Sequence, residues 1–486
     1  MTEPLDPPFP RLRLVAGTGF VCADRNRAGN DPAFWARPVA ASDGDCALPG
    51  SGAAEDVGLL LGHRPRPRVA PSRPAGFLSR LDAPPSEAPP ESDSIRDDGE
   101  SHLLCIAPTG AGKGRSVLIP NLLNYPGSCI VVDPKGEAAR ITAGYRRSLG
   151  QRTAVIAPFD VGNTEALNPF DLFDLPDTDP VDAAYELTGL LGRGVQAESG
   201  HHLFWDVNAN MLIRGVMLAI RHTLPREEHT LATLNAWLSD DDLAYRLAVF
   251  LEQHKAGAPA ACVRDLCGYL HHAERVREDV LSTAMTRLDI FASAGVQRAT
   301  GPSTVRLQDL LDDRPMTLYL VLPAEKLYSH GRLLRLWLAV LLGALLRRSR
   351  LPRHKTLVMI DECAALGELD SLRTLVCLMR GFGVRCAMFF QDASQLRRLY
   401  PQDWSTMINN TMVQTFGTRS MLASRELDDL LGLGDARAAL RVPTGMQMLC
   451  LPGREPVVCE RFDYLRDASF VGRYAPDSMR AGPQAS

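Results

Sequence analysis

The chain runs to 486 residues, too many for one core, and about 150 residues per domain gives two or three domains. Hydrophobic residues at 45% and charged residues at 23% exclude an intrinsically disordered or a membrane-embedded chain. A net charge of −4, from 53 basic and 57 acidic residues, provides no global field for a polyanion, so any nucleic-acid contact has to be a local basic patch.

Met1–Pro8 has no basic flank followed by an apolar stretch, so no signal peptide is expected. Residues 1–98 are rich in Pro, Gly, Ala and Arg, with most prolines between Pro65 and Pro90, and are expected to form an irregular extension holding short strands such as Val57–Leu61. From Leu103 onward, short apolar runs alternate with helical patterns, the signature of a parallel sheet with crossover helices. Leu103–Ile106, Cys129–Val132, Thr153–Ile156, Thr317–Val321, Thr356–Ile360 and Cys386–Phe390 are the predicted strands. Between Thr178 and Thr300 the apolar residues recur at helical spacing, as in Leu203, Val207, Met211, Leu212 and Val216, so an all-α insertion over 178–300 is expected to split the α/β domain into 99–177 and 301–486. The longest nearly uncharged apolar run, Leu336–Leu346, is too short for the ~20 residues of a bilayer crossing and reads as a core helix. After Gly445, Met446–Leu451 and Glu455–Cys459 read as strands closing a sheet edge. Eleven cysteines without CxxC or Cys/His ligand spacing point to a reducing cytoplasm, with neither a zinc site nor a disulfide frame.

The chemistry is concentrated at three strand ends. Leu103–Ile106 leads into Ala107-Pro108-Thr109-Gly110-Ala111-Gly112-Lys113-Gly114-Arg115-Ser116 and then an apolar helical stretch. Glycines at 110 and 112 let backbone N–H groups turn inward on phosphates, and Lys113 brings a cation to the β and γ oxygens. The usual pattern has Gly at position 107 and a hydroxyl at 114, so Mg²⁺ lacks that ligand here, and Ser116 would face away on a regular helix. Thr356–Ile360 ends in Asp361, suited to holding hydrated Mg²⁺, and Glu362, suited to polarising the water that attacks a γ-phosphate. Phe389-Phe390-Gln391 ends another such strand, where a neutral amide can sense that phosphate.

In this order, the loop Ala107–Gly114, Ile119–Leu123, Val132–Glu137, Leu167–Asp171, Phe204-Trp205, Asp361–Gly367 and Pro456–Tyr464 resemble the type IV coupling proteins of the TraG/TraD type. The resemblance implies an α/β, RecA-like P-loop NTPase with a mostly parallel central sheet and an inserted all-α domain. In that family Gly after the P-loop Lys is frequent. It further implies an ATPase using ATP and Mg²⁺ to recruit and pump DNA, a relaxase–DNA complex or protein substrates towards type IV secretion components at the inner membrane. A homo-hexameric ring is implied, with a monomer in isolation left open, in which Arg380 or its competitor Arg385 reaches the neighbour's ATP. The family's transmembrane helices have no counterpart here, although Asn30–Ala36 and Gly58–Gly62 resemble segments that follow them, so a cytoplasmic or peripheral location is expected. Two other readings stand beside this one: a soluble DNA translocase of the FtsK/HerA kind, and an ATP-switched adaptor recruiting substrates through 178–300.

The histidine pairs His201-His202 and His271-His272 point about 100° apart on a helix and read as polar surface. The basic run Arg347–Lys355 reads as a solvated connector, and Arg140, Arg146, Arg147 and Arg152 as a polar helix face.

Overall fold

The computed structural model describes residues 58–64, 94–192 and 203–477; Asn30–Ala36, Pro65–Pro90 and His201-His202 lie outside them. The predicted strands join two that were not predicted, β2 and β9, in one sheet of eleven among the described residues, in the order β2-β1-β11-β10-β9-β3-β8-β7-β4-β6-β5. The parallel block holds β3 (His102–Ile106), β4 (Cys129–Val132), β5 (Arg152–Ile156), β6 (Met316–Leu320), β7 (Thr356–Ile360), β8 (Val384–Phe390) and β9 (Thr411–Thr415). The antiparallel extension consists of β1 (Leu59–His63), β2 (Ser94–Asp97), β10 (Met446–Cys450) and β11 (Val457–Glu460). The expected closing hairpin is therefore present, and it continues the sheet into the N-terminal strands.

Burial on both faces explains why these strands are uninterrupted apolar runs. Leu104, Ile106, Val358 and Ile360 pack into one core, while Leu103, Cys105, Leu357 and Met359 pack into the other. The second face is covered by α1 (Ile119–Asn124) and α2 (Glu137–Ser148). The first is covered by the helices between β5 and β6 and by those that follow β6 and β7.

Between β5 and β6 the described residues contain no strand. The helices there include α3 (Pro180–Gly192), α4 (Leu203–Thr223), α5 (Leu231–Leu238), α6 (Leu243–His254), α7 (Ala260–His271) and α8 (Glu274–Leu288). This block shares one core with the sheet: Val216, Leu266 and Leu288 belong to the same apolar cluster as Ile156 and Leu320. A buried Arg214–Asp265 pair of 2.6 Å ties α4 to α7, with the Arg214 guanidinium 3.9 Å from the Tyr185 ring centroid.

Among the described residues, α4 is the one helix long and apolar enough to cross a membrane, and its Leu212–Ile220 segment is buried in this core. Leu336–Leu346 falls largely within a buried helix, Leu327–Leu345, whose Trp337 donates its Nε1–H to Leu167 O at 2.9 Å.

Sequence reasoning missed β9. Its Thr411, Gln414 and Thr415 break the apolar pattern, yet all are buried, and the Gln414 Nε2 donates internally to Gln447 Oε1 and towards Leu61 O.

Candidate functional site

The glycine loop connects β3 to a π-helical turn, Gly114–Leu118, that runs into α1. Gly110 and Gly112 have φ of 75° and 96°, a region closed to most side chains, and the space beside Gly110 and Gly114 is open. An open cradle of this kind fits the phosphate role expected from the sequence. Lys113 is buried at its base, with Nζ donating to Ala107 O at 2.6 Å and lying 3.5 Å from Pro108 O. Ser116 is tucked beneath the loop, its N–H donating to Gly112 O at 2.9 Å.

Pro108 and Thr109 line, with Gln391, Thr418 and Ser420, a cavity of about 280 Å³. Arg115 points elsewhere: its guanidinium grips both oxygens of Asp463. Arg461 donates to Ala111 O at 2.7 Å, so the segment after β11 braces the loop.

One strand, β8, lies between β3 and the acidic strand β7, and this order brings the three predicted strand ends to one carboxyl edge. Burial, then the neighbouring Glu362 charge, pushes the Asp361 carboxyl up to about 6, and the Lys135 and Lys113 ammonium groups pull it back. A buried carboxylate short of positive charge is where a divalent cation fits, and Asp361 would hold it. Among the described residues no cluster of three His, Cys, Asp or Glu side chains forms a protein-only metal cage.

Glu362 has a left-handed backbone, φ 55°, a strained conformation for a residue with a side chain. Both of its oxygens are engaged: Lys135 Nζ donates to Oε1 at 3.1 Å and Gln391 Nε2 to Oε2 at 2.9 Å. Burial alone would raise its pKa, but these two bonds and the lysine charges outweigh burial and hold it below the usual carboxylate value. Gln391 is fixed in turn, its N–H donating to Gln395 Oε1 at 2.9 Å.

Lys113, Asp361, Glu362 and Gln391 therefore converge, and the Lys113 charge acts on both carboxylates. Arg380, half-buried in the turn before β8, donates to Asn410 O at 3.3 Å. Arg385 is buried and committed to Ser101 O, Asp97 O and the Asp97 carboxylate. Sequence reasoning gave no role to Lys135, Arg461 or Asp463. Lys135 lay in the Val132–Glu137 segment and the other two in Pro456–Tyr464, and their partners are distant in sequence.

A family model described as "Type IV secretory system Conjugative DNA transfer" matches residues 88–424. The conjugal transfer protein TraG of Escherichia coli is 25% identical over 364 residues, covering 70% of this chain and 56% of TraG. Protein VirD4 of Agrobacterium fabrum is 28% identical over 334 residues, covering 66% of this chain and 48% of VirD4. The chain thus spans about half the length of the curated relatives it matches.

Among solved structures, the conjugative coupling protein TrwBdeltaN70 in complex with sulphate superposes with a TM-score of 0.57 at 18% identity, over 79% of this chain and 91% of that one. Plasmid coupling protein TrwB in complex with ADP and Mg²⁺ gives 0.57 at 16% identity, over 85% and 97%. At such identity the likeness is one of fold: a P-loop NTPase domain of RecA-like topology carrying a helical block.

Proposed function

The chain belongs to the type IV secretory system conjugative DNA transfer family, and we propose that it is an ATP-driven coupling motor that recruits DNA or a relaxase–DNA complex and moves it towards a type IV secretion machine. The observation that carries this reading is the convergence of Lys113, Asp361, Glu362 and Gln391 on one sheet edge beside an open glycine cradle. Names among the relatives, conjugal transfer for TraG and an ADP–Mg²⁺ complex for TrwB, support the same substrate and cofactor classes.

In this mechanism the backbone of Pro108–Arg115 cradles the phosphates, and Lys113 exchanges its carbonyl acceptors for phosphate oxygens. Magnesium, when bound with the nucleotide, supplies charge neutralisation across the phosphates, and Asp361 would hold it. Glu362 accepts a hydrogen bond from the attacking water and orients it in line, while Gln391 senses the γ-phosphate. Arg380 answers to the neighbouring subunit's nucleotide in a homo-hexameric ring, and the helical segment 178–300 receives the nucleic acid or protein cargo. The work is done at the cytoplasmic face of the inner membrane. The span of the family match, 88–424, favours this reading over a free-standing translocase.

Lys113→Ala is expected to abolish both nucleotide binding and DNA-stimulated ATP hydrolysis. Turnover persisting in that variant would overturn the assignment of the site.

A further inference from the structure

Glu362 follows the end of β7, the middle strand of three neighbours, β4-β7-β8, and the turn after each flanking strand sends one donor to its carboxylate. Gln391 arrives from β8, which adjoins the glycine-loop strand β3. Lys135 arrives from the turn after β4, on the side away from that loop.

The lysine's own backbone is tightly set. Gly136 N–H donates to Asp133 O at 3.1 Å, Gly136 takes a φ of 63°, and the Asp133 carboxylate accepts Ala139 N–H at 2.9 Å. Arg140 Nη1 then donates to Lys135 O at 3.0 Å. A fixed turn therefore presents a half-exposed side chain that spans to Oε1.

We propose that Lys135 is the positioning residue of the hydrolytic site, holding Glu362 Oε1 throughout the cycle while Oε2 exchanges the Gln391 amide for the attacking water. The inference rests on the reading of Glu362 as the group that polarises that water. Two observations carry it. Each carboxylate oxygen already holds one donor, so a water that takes the Gln391 direction on Oε2 displaces that amide while Lys135 stays on Oε1. Gln391 is the displaceable one, because it stands next to the strand that leads to the phosphate cradle, and a γ-phosphate oxygen competes for its amide.

With its lysine half-exposed, the Lys135–Glu362 pair is screened by solvent and contributes little to stability. Its measurable effect is orientation, where a small misplacement of a reacting group lowers rate up to ~100-fold without touching substrate binding. Lys135 also neutralises part of the negative charge at 361–362.

The test uses the full chain with MgATP and DNA, measuring kcat and KM, binding of a fluorescent ATP analogue, and the melting temperature. Lys135→Met keeps the length of the side chain and removes its charge and donors. Its kcat is expected to fall at least ~10-fold with KM, analogue binding and melting unchanged, and Lys135→Arg to recover most of that rate. A Lys135→Met kcat within about twofold of wild type would overturn the inference. So would an equal loss in the Met and Arg variants accompanied by a lower melting temperature, which marks a merely structural lysine. Glu362→Gln separates this from the parent reading. A wild-type chain that hydrolyses ATP while Glu362→Gln does not upholds the role of Glu362, whatever Lys135 does. A wild type that binds the analogue without hydrolysis removes both.

Discussion

Arg115 and Asp463, 348 residues apart in sequence, meet in a two-pronged ion pair that ties the first turn after the glycine loop to the segment following the last strand. Two residues earlier in that segment, Arg461 stacks 4.5 Å from the Phe416 ring centroid and donates to Ala111 O at the crown of the loop. A loop that must leave its amides free for phosphate has little bonding of its own, and this brace supplies what the cradle lacks.

Breaking the brace therefore acts on nucleotide affinity more than on stability. The Arg115–Asp463 pair is partly solvated, so Asp463→Ala is expected to change stability by less than about 1 kcal/mol. The cost falls on ordering the loop at the moment of binding, and about 1 kcal/mol of lost preorganisation is a roughly fivefold weaker Kd for an ATP analogue. The exchange pair Arg115→Asp with Asp463→Arg should recover part of that loss. Unchanged affinity in Asp463→Ala would show that the loop needs no brace.

A second expectation concerns acid. His102, at the start of β3, is buried; burial first, then the Arg380 and Arg385 charges, depress its pKa from 6.5 to about 4. Its Nδ1 accepts Cys386 N–H at 3.0 Å, which fixes the neutral tautomer with the proton on Nε2. The folded state thus prefers the uncharged ring. That contribution is complete above pH 6.5 and is lost as pH falls through about 4, amounting to about 2 kcal/mol between pH 7 and pH 5. His102→Asn keeps an acceptor near Cys386 and removes the titration. Urea unfolding at the two pH values should show a smaller pH 7-to-5 loss in the variant, and an identical loss in both proteins would rule His102 out as the source.

What was legible in the sequence is what chemistry and burial write locally. Gly110, Gly112 and Lys113 are recognisable because phosphate binding needs those residue types at that spacing, and the parallel strands because burial on both faces requires unbroken apolar runs. The positions of polar residues whose partners lie far along the chain were not. Arg146, expected on a polar helix face, is fully buried and donates to Thr317 Oγ1, Leu122 O, Tyr125 O and Gly127 O, pegging α2 to the turn before β4. Within the expected solvated run 347–355, Arg348 is buried and bonds Leu310 O and Thr356 Oγ1, while Lys355 reaches Gly99 O. Lys135 escaped notice for the same reason: nothing within ten residues of it foretells Glu362.

The two candidate arginines differ in what their removal would cost. Arg385 has Asp97 and Ser101 as interior partners, and truncating one side of a buried pair costs roughly 3–5 kcal/mol, so Arg385→Ala is expected to lose stability before anything can be learned of catalysis. Arg380 has one long bond to Asn410 O, so Arg380→Ala should melt like the wild type. If its guanidinium serves a neighbour's nucleotide, the variant binds ATP normally and hydrolyses it at least ~10³-fold more slowly. Mixing decides the direction of action. Arg380→Ala subunits keep Lys113 and Lys113→Ala subunits keep Arg380, so a ring containing both holds interfaces where an intact loop faces an intact arginine. Recovery of activity on mixing two inactive variants is the expected result. Its absence, in rings shown to contain both kinds of subunit, would mean that Arg380 acts within its own chain or not at all.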